Sequence, residues 1–390
     1  MKNVCKPVVV AAALFIAASV PFAWCGGKSD SAGKDSVSAG KISGTVTVTD
    51  LAGRKVTLNL PVKKVNVNWS GSGGAFMTMS ALLGTEVADY LSSWDGGLQK
   101  FRFDMYEEYL SKIPALENIP VVSGVDYADF NLEKLIQLKP DVVIWTLGVR
   151  EQAGGIAESA LAAAGIPLIY IDYHAETIEN HTKTTQLLGQ LFGKEERAGE
   201  LIKFYVDNMN IINGRLSKID TRPLAYAEVT MQGPKVYGNT YGNIMWGAMI
   251  KNAGGTNIAE GVVTGQSPVS AEFVISKDPD IIILTGSYWP NNPDSVRMGY
   301  LSNEADTQRQ ISAYANRPGW PQLKAIRNKR LFAIHHGLGR EIYDVAAFAF
   351  IAKCIHPEQF TDIDPIGMLR EYYDRFLPYD LYGVWMTQFK

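Results

Sequence analysis

The sequence predicts an α/β fold of two α/β lobes, each with a mainly parallel central sheet. One long backbone helix joins the lobes, and a ligand cleft lies between them. Three observations carry this prediction. First, Asn131-Leu-Glu-Lys-Leu-Ile-Gln-Leu-Lys-Pro-Asp-Val-Val-Ile-Trp145 reads as a short helix, a proline stop and a buried strand, and Ser270-Ala-Glu-Phe-Val-Ile-Ser-Lys-Asp-Pro-Asp-Ile-Ile-Ile-Leu284 repeats the pattern. Two copies at domain-sized spacing indicate two similar lobes rather than a solenoid, whose period is far shorter. Second, apolar strands alternate with amphipathic helices around both copies, the order of a parallel sheet. Third, a helix with Leu201, Phe204, Tyr205, Met209, Ile212 and Leu216 on one face falls between the copies.

The chain has 390 residues, of which 46% are hydrophobic, enough to bury two cores. A formal net charge of -3 leaves no electrostatic footprint for nucleic acid. The three cysteines, Cys5, Cys25 and Cys354, form no CxxC or Cys/His cluster, so no structural metal site is expected. Cys354, in Phe348-Ala-Phe-Ile-Ala-Lys-Cys354, reads as a buried core thiol.

Taken in order, the N-terminus is an export address. A basic start precedes an apolar stretch, Pro7 to Ala23, that is short of the ~20 residues needed to cross a bilayer. Residues 1–24 read as a signal peptide and 25–43 as a flexible Gly/Ser tether. Cys25, directly before that tether, resembles a bacterial lipoprotein site, although Trp24 departs from the usual small residue. The expected location is the periplasm or the outer face of the cytoplasmic membrane, lipid-anchored through Cys25.

Residues 44–193 form the predicted N-terminal lobe. Gly44 to Leu58 alternates as a β-hairpin, and Lys64 to Trp69 is a strand running through Ser70-Gly-Ser-Gly-Gly74 into a helix over 75–83. Residues 94–120 read as aromatic, charged helices beside the lobe, long enough to enlarge a cleft rim. After the first copy of the repeat come a helix over 157–164, a strand over 166–172 and a helix over 177–192 ended by Gly193. Residues 194–218 are the linking helix. The C-terminal lobe, 219–390, has strands over 223–229, 281–284 and 329–334. Helices over 244–253, 320–326, 343–353 and 366–376 accompany them, and residues 291–316 are polar and irregular with one helix.

In open α/β sheets ligands bind beyond the carboxyl ends of the strands. That rule selects Trp69, Ser70, Ser72, Tyr127, Arg150 and Tyr173 from the first lobe. It selects Tyr237, Tyr241, Trp289, His335, His336 and Arg340 from the second. Aromatic faces with a few cations suit a ligand with flat or anionic parts. His335 and His336 point to opposite faces of an extended chain, so direct metal ligation by both is not expected. No nucleophile–base pair, cofactor fingerprint or carboxylate dyad is present, so no catalysis and no cofactor is expected. Glu133 and Glu272 open matching helices of the two lobes, as dipole-favoured surface residues or as paired acidic pegs for a symmetric partner.

Four stretches, taken together, resemble the helical-backbone (class III) substrate-binding proteins of ABC importers, the group serving ferric siderophores, haem and cobalamin. They are Val46–Val56, Phe130–Ile144, Gly242–Asn257 and Pro318–Phe332. The resemblance covers about residues 44–390. It implies two lobes on one helical strut, modest lobe motion, and a small-molecule ligand in the cleft, a metal chelate being expected. It also implies a monomer whose Glu133 and Glu272 dock on arginines of an ABC permease dimer. A ferric siderophore is the expected ligand. Haem, cobalamin or a metal oxyanion are alternatives, and an exported enzyme or surface sensor is the reading from a different class.

Overall fold

The helix–proline–strand unit forms twice, and the same contacts hold both copies. A computed structural model describes residues 44–390; the expected signal peptide, tether and Cys25 lie outside the described residues. Helices Leu132–Gln137 and Ala271–Lys277 are capped by Asn131 and Ser270, whose side chains accept from the Lys134 and Phe273 amides at 2.8 and 3.1 Å. Lys139 and Asp278, each directly before the proline, take left-handed backbone (φ 46° and 44°) and stop the helix. The aspartate after each proline then fastens a neighbouring strand. Asp141 accepts from the Lys63 and Lys64 amides, both at 2.8 Å, and Asp280 from the Leu224 amide at 2.9 Å. Strands Val142–Thr146 and Ile281–Gly286 follow, fully buried.

The first sheet runs Leu91–Trp94, Val65–Val67, Val142–Thr146, Leu168–Ile171, all parallel. The second runs Met386–Gln388, Leu331–His335, Ile281–Gly286, Leu224–Val229, Thr256–Asn257, with only the Met386–Gln388 edge antiparallel. Strand alternation sends side chains to two layers. Val143 and Trp145 pack outward with Leu161 and Tyr170, and Ile282 and Leu284 outward with Tyr226 and Trp320. Ile144, Ile169, Ile281 and Ile283 turn inward to one core that runs through both lobes. The hairpin Gly44–Thr49/Lys55–Leu60 docks on the first sheet through the Leu51 amide, which donates to Tyr170 O at 2.9 Å.

The linking helix Glu195–Leu216 packs its apolar face inward, with Phe204 against Tyr372 and Phe376 of the last helix, Pro365–Phe376. Gly193 caps helix Ile178–Phe192 in left-handed conformation, as predicted. Cys354 is a buried free thiol. No helix of the described residues is long and apolar enough to cross a membrane.

Three of the differences from expectation bear on the cleft. The helix predicted over 157–164 starts at Arg150, because Val149 and Arg150 already take near-helical backbone. Leu91–Trp94 is a strand that the aromatic character of 94–120 obscured. Asn239–Tyr241 pairs antiparallel with Gln266–Pro268 where a loop was expected.

The turn before this ribbon rests on a buried ion pair. The Arg317 guanidinium donates to both Glu228 oxygens at 2.8 Å and to the carbonyls of Pro234 and Val236 at 2.6 and 2.8 Å. Its carbon lies 4.3–4.8 Å from the ring centroids of Tyr314, Tyr237 and Trp320. Glu228 also accepts from the Gly238 amide at 3.0 Å and the Tyr226 hydroxyl at 3.1 Å. Removing the cation leaves a carboxylate buried and unneutralised, which is strongly destabilising. Arg317→Met is therefore expected to lower unfolding free energy by about 3–5 kcal/mol in urea titration; a loss under about 1 kcal/mol contradicts this role.

Candidate functional site

The carboxyl ends of the two sheets face a cavity of about 230 Å³. Trp69, Gly71, Ser72, Asp95 and Tyr127 line it from the first lobe, and Phe101 and Arg102 from the segment that follows strand Leu91–Trp94. Val229, Met231, Asn239, Tyr241 and Gln266 form the opposite wall, and Trp289, His336 and Arg340 complete it. Tyr241 sits across from Gln266 in the ribbon register, and Asn239 lies two residues away on the same face.

Asp95 shapes the first-lobe wall. Its carboxylate accepts from the amides of Trp69 at 2.7 Å and of Ser70 and Gly97 at 3.0 Å, and from the Ser70 hydroxyl. Burial raises its pKa, and these donors pull it back. Trp69 has positive φ (52°), and its indole N–H donates to Asp126 at 3.2 Å. Gly73 (φ 77°) has no room for a side chain: a Cβ there would come within 2.6 Å of the His174 ring. Its amide crosses the cleft to Glu341 of the second lobe at 3.0 Å.

Arg340 is the unbalanced charge. It forms no ion pair with any described residue, and its Nε is buried without a partner; the guanidinium carbon lies 5.6 Å from the Trp69 ring centroid. Burial lowers its pKa, and Tyr241, Glu176 and Glu341 oppose that shift. Arg102 is engaged in part: it donates to the Tyr343 hydroxyl at 3.1 Å, while its Nη2, 3.7 Å from Glu341, is buried without a hydrogen-bond partner. The Ser72 hydroxyl is also buried without a partner. The Trp246 indole, only a donor, gives its N–H to His336 Nδ1 at 3.3 Å. The His336 ring proton therefore sits on Nε2. Burial, with Arg340 and Arg102 nearby, drives its pKa well down, so the ring is neutral.

A guanidinium, a hydroxyl and an imidazole N–H with open valences, set among Trp69, Tyr127, Tyr241 and Trp289, make a receptor for an anion that carries apolar or flat surface. No lining residue forms a nucleophile–base pair. Burial holds the Tyr241 phenol protonated.

Of the residues selected from the sequence, Trp69, Ser72, Tyr127, Tyr241, Trp289, His336 and Arg340 line this cavity together. Five others do not, each for a packing reason. The Ser70 hydroxyl is taken up by Asp95 and the Leu98 amide. Arg150 opens a helix and turns to Glu158 (3.3 Å) and the Tyr170 ring, its side chain 42% exposed. Tyr173 is buried with its hydroxyl between Thr78 (2.8 Å) and Thr185 (2.9 Å). The Tyr237 hydroxyl accepts from Trp320 at 2.7 Å and its ring covers Arg317. His335 is buried against Trp385, with Asp104 3.7 Å away; as expected of adjacent residues in extended chain, it faces away from His336.

Asp95, Phe101, Arg102 and Gln266 were not anticipated. Asp95 follows a strand that went unrecognised. Phe101 and Arg102 reach the cavity because helices Gly97–Phe101 and Phe103–Lys112 lie against the second lobe, where Phe101 O accepts from the Ser287 hydroxyl at 3.1 Å. The length of segment 94–120 was the only signal of this.

Residues 81–337 match the profile of a family described as periplasmic binding protein. The chain is similar to the molybdate-binding protein MolA of Haemophilus influenzae, 25% identical over 84% of this chain and 90% of that protein. It is similar to an uncharacterised ABC transporter substrate-binding lipoprotein, YvrC, of Bacillus subtilis, 24% identical over 90% of this chain and 98% of that one. Among solved structures, the TroA-like periplasmic binding protein FepB from Veillonella parvula is 41% identical with a TM-score of 0.84, covering 88% of this chain and 100% of that one.

Asp95→Asn puts an amide NH2 where one of four donors needs an acceptor. Its expected effects are a loss of about 2 kcal/mol, read as a melting point lower by a few degrees, and a changed near-UV tryptophan dichroism from Trp69. An unchanged melt and spectrum would show that Asp95 does not hold this wall.

Proposed function

The chain belongs to the periplasmic binding protein family, as a class III solute-binding protein of ABC importers and not an enzyme; from that premise we propose that it captures a compact anionic metal chelate, a ferric siderophore first, and delivers it to a membrane permease. The observation that carries this reading is Arg340, a guanidinium with no described carboxylate at ion-pair distance, in an aromatic-walled cavity. Negatively charged donor atoms of a chelate complete its valences, and the apolar parts of the ligand pack on Trp69, Tyr127 and Trp289. The volume, about 230 Å³, is below the ~300–1,000 Å³ of pockets that enclose drug-sized ligands. A whole haem, cobalamin or ferric siderophore exceeds that volume alike, so a chelate engages the cavity with its charged part only. The same small volume supports a second reading, a metal oxyanion, as does the likeness to MolA, whose name states that it binds molybdate.

Delivery rests on Glu133 and Glu272. Both are exposed in the first turn of capped, equivalent helices on the two lobes. A local backbone amide and the Ser270 hydroxyl lower the Glu272 pKa, which keeps it anionic. We place these carboxylates against basic sockets of the two permease subunits. Export and a lipid anchor at Cys25 belong to the same reading and are supported by the likeness to a lipoprotein.

Two experiments test this function. Tryptophan fluorescence is titrated with a ferric catecholate chelate, haem and sodium molybdate. Saturable quenching by the chelate is expected, with Arg340→Ala weakening it about 10–100-fold, the equivalent of one charge-assisted hydrogen bond. Saturation by molybdate alone would transfer the function to the oxyanion reading, and no response to any probe would dismiss both. Separately, Glu133→Ala with Glu272→Ala should abolish ligand uptake by cells while leaving binding by purified protein intact; normal uptake would end the docking assignment and favour a surface sensor.

A further inference from the structure

Below the loop that follows strand Leu168–Ile171, polar groups from the two lobes meet away from the ligand cavity. Glu176 and His181 come from the first lobe, His181 in the opening turn of helix Ile178–Phe192. Asp344 caps helix Val345–Ile355 in the second. Ligand-capable atoms of the three lie within 4.8 Å of one another, and none of the three lines the cavity. We propose that Glu176, His181 and Asp344 form a divalent-cation site that ties the lobes together.

The imidazole supplies the first reason. His181 Nδ1 lies 2.9 Å from the Thr177 carbonyl, which can only accept, so the proton is on Nδ1. Nε2 then faces the Asp344 carboxylate at 2.7 Å, as a lone pair in the neutral ring. A lone pair and an ionised oxygen repel at that distance unless a positive species joins them. Metal-bound histidine typically has this arrangement, one nitrogen donating to a carbonyl and the other turned to the ion. The ring is also held in place, stacked on Tyr205 with centroids 5.1 Å apart and edge-on to Tyr173 at 5.1 Å.

Glu176 supplies the second reason. It is 8% exposed, and its Oε1 is buried with no hydrogen-bond partner. Among the described residues, no lysine or arginine forms an ion pair with either carboxylate. Two buried carboxylates beside one imidazole thus have no directly paired lysine or arginine, and Arg340 acts on Glu176 only from beyond ion-pair distance. One nitrogen and two carboxylate oxygens suit Zn²⁺ or Mn²⁺ over soft Cu⁺. Bonds of ~2.0–2.1 Å in tetrahedral geometry set ligand atoms about 3.3 Å apart, so side-chain adjustments of about 1 Å would close the shell. Residues 176, 181 and 344 make no local motif, which is why the sequence carries no metal signature. Because the ligands come from both lobes, the ion would stabilise their closed arrangement.

Chelator-stripped protein is titrated with zinc chloride and with manganese chloride by calorimetry, and its melting followed with and without each metal. We expect one equivalent bound by at least one metal and a raised melting point. Glu176→Gln, which keeps shape and removes charge, should fold normally and bind about tenfold or more weakly, and His181→Gln should behave likewise. The proposal is overturned if stripped wild type takes up well under one equivalent of both metals, which would leave the cluster held by protons. It is also overturned if both variants bind as wild type does, which would place the ion elsewhere.

Discussion

A carboxylate of one lobe that depends on donors from the other governs this structure. Glu341 is buried in the second lobe, yet its oxygen accepts from the Gly73 amide of the first at 3.0 Å and faces Arg102 at 3.7 Å. Burial pushes its pKa up to about 7, against the pull of Arg102 and Gly73. Asp104 repeats the arrangement in reverse, a first-lobe carboxylate accepting from the second-lobe Tyr300 amide at 2.9 Å. Separating the lobes would exchange these contacts for water, and each hydrogen bond so exchanged costs a net of about 0.5–1.5 kcal/mol, more where a charged group takes part. The seam thus favours a narrow range of lobe positions around a small cavity, in line with a helical strut and a shared core.

Within that constraint the lobes are built by one recipe used twice. Each proline–aspartate turn stops a helix, fastens the neighbouring strand and starts a buried strand aimed at the cleft. The recipe leaves a glutamate exposed at one end; at the other, the second copy delivers Trp289 to the cavity, whereas Arg150 of the first turns to Glu158. Divergence is concentrated at the cleft end, where Arg340, Trp69 and Trp289 have no counterparts dictated by the repeat. Fold and site therefore separate here, the fold held by repeated contacts and the cavity walled by loop side chains.

The relatives fit this division. MolA has a stated ligand of its own, and YvrC and FepB share its family likeness with none stated, so membership of the family gives the task of binding a solute. The chemistry of the solute has to be read from unpaired groups in the cavity. In this chain those groups include the Arg340 guanidinium, the Ser72 hydroxyl, the His336 N–H and the Arg102 Nη2.

By itself, the sequence determined the features set by periodicity and turn chemistry: the repeated unit, the strands of both sheets except Leu91–Trp94 and short edges, the Gly193 stop and the linking helix. The strand-end rule, applied to residue types alone, also identified much of the cavity wall, from Trp69 to Arg340. Only tertiary structure decided which side of a strand end a residue faces. Tyr173 and His335 sit at the right ends but turn into the core, where Thr185 and Trp385 receive them. It also decided the contacts between distant segments: Asp95 organising the Trp69 loop, Arg102 crossing to Glu341, and Glu176, His181 and Asp344 gathered at one point. Local pattern encodes an element and the direction of its ends, because those depend on neighbours a few residues away. Which groups share a buried space depends on how whole layers pack, and no spacing within the chain records that.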